Sequence, residues 1–263
     1  VASSLALIIA SNFSWTFAYK LMALITGLNI IITMIISTEN KNLTLKKLNH
    51  IDTMIEPIKD FFERFGLKMA AILLLIIASY RLTDIVMGPM ANPFYIDMGY
   101  TLSEIGYIVK VVALISTIIG VFVGGILIKK FGLYKSLLIG AFLVMITNLL
   151  FSYTAITDKN LTLLASIVAS DSLAAGIVGT VNITFLTSLV SQKYTGFQYA
   201  LLTSVMTFTG TIFKGFSGVI VESFQSLYGF NYGWMSFYIF TSCLALPAIL
   251  LIISKKGFFV NSD

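Results

Sequence analysis

The chain has 263 residues, of which 57% are hydrophobic and 11% charged, with a formal net charge of +5. A soluble domain carries about 25% charged residues, so this composition, with a mean hydropathy of +0.93, excludes an ordinary soluble fold and selects a polytopic membrane protein. One cysteine, Cys243, and one histidine, His50, exclude a disulfide framework and a His/Cys metal cluster, and the basic residues lie in short loops between apolar runs, so no nucleic-acid partner is expected.

The first apolar run, VASSLALIIAS at 1–11, would reach only about 16 Å as a helix, half of a hydrocarbon core. It carries no positive flank of a secretory signal. It reads as the back half of a spanning helix whose front is missing, or as a re-entrant or interfacial starter. Seven stretches of crossing length follow, at about 13–37, 68–95, 101–128, 133–156, 161–190, 197–222 and 232–253. About 20 residues suffice to cross. Short polar turns separate them and no period of two runs through them, so the fold class is an all-α membrane helix bundle and not a barrel.

The long loop 38–66 separates the first of these stretches from the other six. Within it, Thr53–Phe65 spaces Ile55, Ile58, Phe61, Phe62 and Phe65 at helical intervals. This predicts an amphipathic helix on the inner leaflet or a solvated linker. His50, in the same loop, is given no role. Thr101-Leu-Ser-Glu104 is a capping box, which accounts for Glu104 without a transport role. Gly120 and Gly124 allow close helix approach. The stretches 133–156 and 232–253 carry almost no charge between their ends and are expected to face lipid, with Cys243 a packing residue.

Orientation follows from lysine and arginine. Lys41, Lys46, Lys47, Lys59, Arg64, Lys68, Lys129, Lys130, Lys135, Lys193, Lys255 and Lys256 fall on one side, and Lys159 alone falls on the other. The long loop and the C-terminus are therefore expected in the cytoplasm.

Ionisable groups inside crossings are expensive unless they face protein or a water-filled cavity. Arg81 and Asp84, three residues apart, share a helix face. A carboxyl held between a bilayer and a guanidinium can take up and release a proton. The alternative is a structural pair that lets both be buried. Lys214 lies on a stripe with Thr203, Thr207, Gly210 and Ser217, which reads as a cavity lining. Lys214 would then meet a substrate carboxylate, or else snorkel to a headgroup. Asp171 shares a face with Asn182, and Lys110 with Thr117 and Gly124. For both charges a pathway role and a structural role stay open.

Gly125, Leu127, Lys130 and Gly132 match the cytoplasmic loop motif G-x-L-x-D-R-x-G-R-K of the major facilitator superfamily, with Lys129 where that family usually has Asp. Further stretches resemble AmpG-type muropeptide permeases: Tyr80-Arg-Leu-Thr-Asp84, Asn92 through Gly106, Tyr194 through Ser204 with the glycine-spaced run to Gly218, and Ser14 through Leu24. The resemblance implies that 1–37 ends an N-terminal bundle, 38–66 is the cytoplasmic loop between halves, and 67–263 is the C-terminal six-helix half. It implies proton-driven import of anhydro-muropeptides across the bacterial inner membrane without a cofactor, by a lipid-embedded protein partnered by the missing half. It places Asp84 at an acidic position associated with transport, and Gln198 joins Thr203, Thr207, Lys214, Lys110 and Asp171 as expected cavity residues. A related acetyl-CoA transporter group leaves the substrate open, and an inactive remnant of a decayed gene is the competing reading. A membrane enzyme would need a convergent His, Cys, Ser or metal constellation, which one loop histidine does not supply.

Overall fold

A computed structural model describes residues 14–36 and 50–260, all helices and short turns, with no strand among them. The run 1–11, most of the loop 38–66 before position 50, and the last three residues lie outside the described residues. The chain divides into two compact units, Val1–Asp52 and Thr53–Asp263. In the first, α1 (Trp15–Ile36) has the length and hydropathy of a crossing.

The second unit holds α2 (His50–Tyr80), α3 (Leu82–Asp97), α4 (Leu102–Tyr107), a π-helical turn (Ile108–Val112), α5 (Ala113–Thr154), α6 (Leu161–Leu189), α7 (Thr195–Gly215), α8 (Ser217–Tyr228), α9 (Phe230–Cys243), α10 (Leu246–Ser254) and α11 (Lys256–Val260). The 42 residues of α5 would make a straight helix of about 63 Å, twice a hydrocarbon core. Gly132 resolves this, with φ 76° and ψ 170° inside the run, a backbone region that L side chains disfavour. Gly120 and Gly124 meet successive turns of α6 in the same direction, at Leu173 and Ile177. Gly140 and Thr147 meet α6 in the opposite order, at Val178 and Asp171. The chain therefore reverses at Gly132, and α5 is two crossings. The second unit thus has six crossings.

Between helices in lipid there is little hydrophobic driving force, so close packing of small residues carries association. At the α5–α6 crossing, a Cβ on Gly120 would strike the Leu173 carbonyl and one on Gly176 would strike the Thr117 carbonyl. Gly125, in contrast, has open space around it. The end of the unit where α3 meets α9 is filled by aromatic side chains: Phe94 lies 4.9 Å from Tyr238 and 5.3 Å from Trp234, centroid to centroid. Trp234 Nε1 donates to Asp97 Oδ2 at 2.9 Å.

The capping box forms as expected. Thr101 Oγ1 accepts from the Glu104 N–H at 3.3 Å, and Glu104 Oε2 accepts from the Thr101 N–H at 2.7 Å. Lys159 Nζ also donates to Glu104 Oε2, at 2.9 Å. The Lys159 ammonium, then the Thr101 N–H, hold this carboxyl, in the cap that precedes the crossing, down to about 2.

The structure decides two sequence expectations. The segment 53–65 is not a solvated linker, and of the two readings the helix is the one observed. It is the first part of α2, ends at Gly66 (φ 71°), and packs into the second unit, with Phe61 only 4% exposed. The segment thus belongs to the same compact unit as the crossings that follow it. The uncharged stretches 133–156 and 232–253 are not chiefly lipid-facing. They pack on each other through buried polar groups: Thr241 Oγ1 donates to Asn148 Oδ1 at 2.8 Å and Ser242 Oγ to Met145 O at 2.9 Å. A protein core and a lipid phase both exclude charge, so absence of charge does not separate them.

Candidate functional site

Three crossings are interrupted: at Arg81 (φ −107°, ψ 9°) between α2 and α3, at Phe216 between α7 and α8, and at Leu244–Ala245 between α9 and α10. The first two interruptions lie side by side: Ser217 Oγ donates to Val86 O at 2.8 Å, and Gly210 admits the side chain of Ile85. A break inside a crossing frees backbone groups, which is tolerated where they are buried in protein or line a cavity. Pro89 and Pro93 within α3 each remove one further helix hydrogen bond.

Asp84 sits in the first turn of α3, where the helix dipole favours an anion. Arg81 Nη2 lies 3.6 Å from Asp84 Oδ2, with both side chains half-buried. Arg81 Nε and Asp84 Oδ2 are buried without a hydrogen-bond partner, as is Thr83 Oγ1. Beside them opens a cavity of about 300 Å³, lined by Arg81 at the break, from α3 by Asp84, Gly88, Asn92 and Tyr95, and from α6 by Asp171 and Ser172. Asp171 Oδ1 lies 3.1 Å from Thr147 Oγ1, which is also 3.1 Å from Val144 O. Tyr80, at the end of α2, donates from its hydroxyl to Leu137 O at 3.2 Å.

The structure brings together three of the sequence candidates, Arg81, Asp84 and Asp171. It places others elsewhere. Lys214 is exposed in the last turn of α7, where a cation suits the helix dipole, and it does not line this cavity. Thr203 Oγ1 donates to Tyr199 O at 2.9 Å, and Thr207 Oγ1 donates to Thr203 O. Both hydroxyls therefore bond their own helix. The side chain of Lys110, in the π-helical turn, lies outside the described residues. Gly125, Lys130 and Gly132 stand at the α5 reversal, with Lys130 Nζ 5.3 Å from the centre of the Phe131 ring.

Gln198 is a correction. It is 1% exposed and is not among the residues that line the cavity. Its Oε1 accepts from Arg64 Nη2 at 2.9 Å and from the Ser191 N–H at 2.7 Å. Its Nε2 donates to Pro57 O at 2.8 Å and to Asp60 Oδ2 at 2.9 Å. All four hydrogen-bonding positions of the amide are used, which leaves none for a substrate. Sequence reasoning also missed Thr147, Asn92, Tyr95 and Ser172. Asn92 and Tyr95 lie within a stretch that carried the family resemblance. Thr147, in an uncharged crossing, gave no signal.

The family model described as Major Facilitator Superfamily matches residues 1–214. The protein named AmpG 4 of Rickettsia conorii is 32% identical over 246 residues, 91% of this chain and 56% of that protein. AmpG 1 of Rickettsia bellii is 26% identical over 98% of this chain and 62% of its own length. The anhydromuropeptide permease of Escherichia coli is 29% identical over 96% of this chain and 50% of its own. The chain thus spans roughly half the length of the curated relatives it matches. No solved structure matches significantly.

Proposed function

This chain is a multi-pass membrane protein that belongs to the major facilitator superfamily, a transporter family and not an enzyme class, and we propose that it forms the C-terminal half of a proton-coupled importer of anhydro-muropeptides. The observation that supports this most directly is the charged cavity between α3 and α6. Two carboxylates and a guanidinium inside spanning helices mark a substrate or ion path. Interrupted helices that meet at such a site are the usual construction of secondary carriers. The substrate class comes from the relatives that carry the permease name. The protein belongs in the bacterial inner membrane with its C-terminus in the cytoplasm, the side with the lysines.

In this reading Arg81, Asp84 and Asp171 form the coupling centre, the proton gradient drives transport, and no cofactor takes part. A second six-helix half forms the opposite wall, because carriers of this kind work by rocking one half against the other. The test is uptake of labelled anhydro-muropeptide by permease-deficient cells. Cells would express this chain alone, or together with the N-terminal helices of an AmpG relative. Uptake only with both is expected. Uptake by this chain alone would remove the need for a second half, and no uptake in either case would sink the assigned substrate.

A further inference from the structure

Two carboxylates and one guanidinium line the α3–α6 cavity, giving its described residues one unbalanced negative charge. We propose that this charge is balanced by a single exchangeable proton carried on Asp171, while Asp84 stays ionised against Arg81. The proposal rests on the reading of this cavity as the coupling site, and names which group holds the proton.

The environments of the two carboxylates differ. Asp84 has the Arg81 guanidinium at 3.6 Å and stands in the first turn of α3, where the backbone dipoles favour an anion. Asp171 is ten residues into α6 (Leu161–Leu189), beyond the reach of a helix end. Its hydrogen-bond neighbour is a neutral hydroxyl, Thr147 Oγ1.

Hydrogen counting at that hydroxyl points the same way. Thr147 Oγ1 is 3.1 Å from both Val144 O and Asp171 Oδ1. A threonine hydroxyl has one hydrogen and can accept others, whereas a carbonyl only accepts. Both contacts are filled at once when Thr147 donates to Val144 and the Asp171 carboxyl O–H donates to Thr147. Among the described residues, the titratable and charged groups facing Asp171 are Arg81 at the α2–α3 break, Asp84 and Tyr95 on α3 and Tyr238 on α9. The first half of α5 contributes Ala113 and the second half Thr147, both neutral.

In the cycle, a proton from water on one side forms the O–H bond on an Asp171 carboxylate oxygen. That bond breaks when the proton leaves to water on the other side. The protonated trio is neutral and the deprotonated trio carries one negative charge.

The test is infrared difference spectroscopy, between about pH 6 and about pH 9, a window above the titration of ordinary carboxyls, on the purified chain in lipid nanodiscs. Deuterium exchange identifies the carbonyl stretch of a protonated carboxylic acid. The wild-type protein should show this band, Asp171→Asn should lose it, and the charge-neutral double variant Arg81→Gln with Asp84→Asn should keep it. A band that survives Asp171→Asn and disappears in the double variant would assign the proton to Asp84 and overturn the proposal. Absence of any such band from the wild type would overturn it as well. If circular dichroism shows that Asp171→Asn does not fold, Asp171→Glu replaces it. The band should then move in frequency, and an unmoved band counts against Asp171. Because no substrate is used, a wrong assignment of the proton is separated from a wrong assignment of the substrate.

Discussion

Arg64 Nη2 donates to Gln198 Oε1 at 2.9 Å, across 134 positions of sequence. The contact joins the amphipathic first part of α2 to the start of α7. Arg64 Nη2 also donates to Leu189 O at 3.0 Å, its Nε pairs with Asp60 at 2.9 Å, and the Tyr194 hydroxyl donates to Glu56 at 2.7 Å. One buried amide thus ties together the ends of α2, α6 and α7 at one end of the unit. Gln198→Ala leaves Arg64, Asp60 and two backbone groups short of partners. A loss of about 1–3 kcal/mol is expected, read as a lower unfolding midpoint in detergent. An unchanged midpoint would mean that the clamp is dispensable.

The α5–α6 crossing makes a contrast between glycines testable. Gly176→Val puts a branched side chain where a single Cβ already meets backbone. It should abolish assembly of a monodisperse, folded protein. Gly125→Ala meets open space and should leave folding unchanged to within about 0.5 kcal/mol, apart from a small gain in helix propensity. Size-exclusion profiles of the two variants check this.

Asp84→Asn leaves Arg81 without its carboxylate, and the guanidinium then holds Asp171 in the charged form. Proton-driven uptake by the assembled carrier should fall about tenfold or more, a factor that corresponds to about 1.4 kcal/mol. Adding Arg81→Gln removes the uncompensated cation and should restore accumulation against a gradient. A double variant that inserts normally yet still fails to accumulate substrate would make Asp84 the proton carrier.

Glu104 gives a pH dependence with a definite sign. Its folded-state value is lowered to about 2 by Lys159 and the Thr101 cap. The carboxylate therefore contributes its full stabilisation above the ordinary carboxyl value of about 4.3. That contribution is lost as the pH falls towards 2. The difference in unfolding midpoint between wild type and Glu104→Gln should be present at pH 7 and shrink below pH 4.5. A difference that grows on acidification contradicts the assigned bonds.

Orientation can be checked on sealed spheroplasts. Tags inserted near residue 45 and after Asp263 should both resist external protease, as the lysine count requires. Cleavage of either tag from outside would reverse the topology.

Much of this protein was legible in its sequence for a local reason. Crossing length, caps and the sided distribution of lysine depend on neighbouring residues and on the thickness of the bilayer, so the seven crossings, the Thr101–Glu104 cap and the turn at Gly132 could be read in order along the chain. Arg81 and Asp84 were also local, a pair on one helical turn. What only the tertiary structure decided is which faces meet. Asp171 and Asp84 line one cavity, Gly120 and Gly176 set α5 against α6 by close backbone approach, and Ser217 and Gly210 seat α8 and α7 on the start of α3. Gln198 reads in sequence like any polar residue near a helix start. Its fate as a buried clamp depends on Arg64 and Asp60, brought to it by a fold at Gly66. The same apolar side chains satisfy lipid and protein interior, so 133–156 could not declare its neighbours until packing placed Asn148 against Thr241 and Thr147 against Asp171.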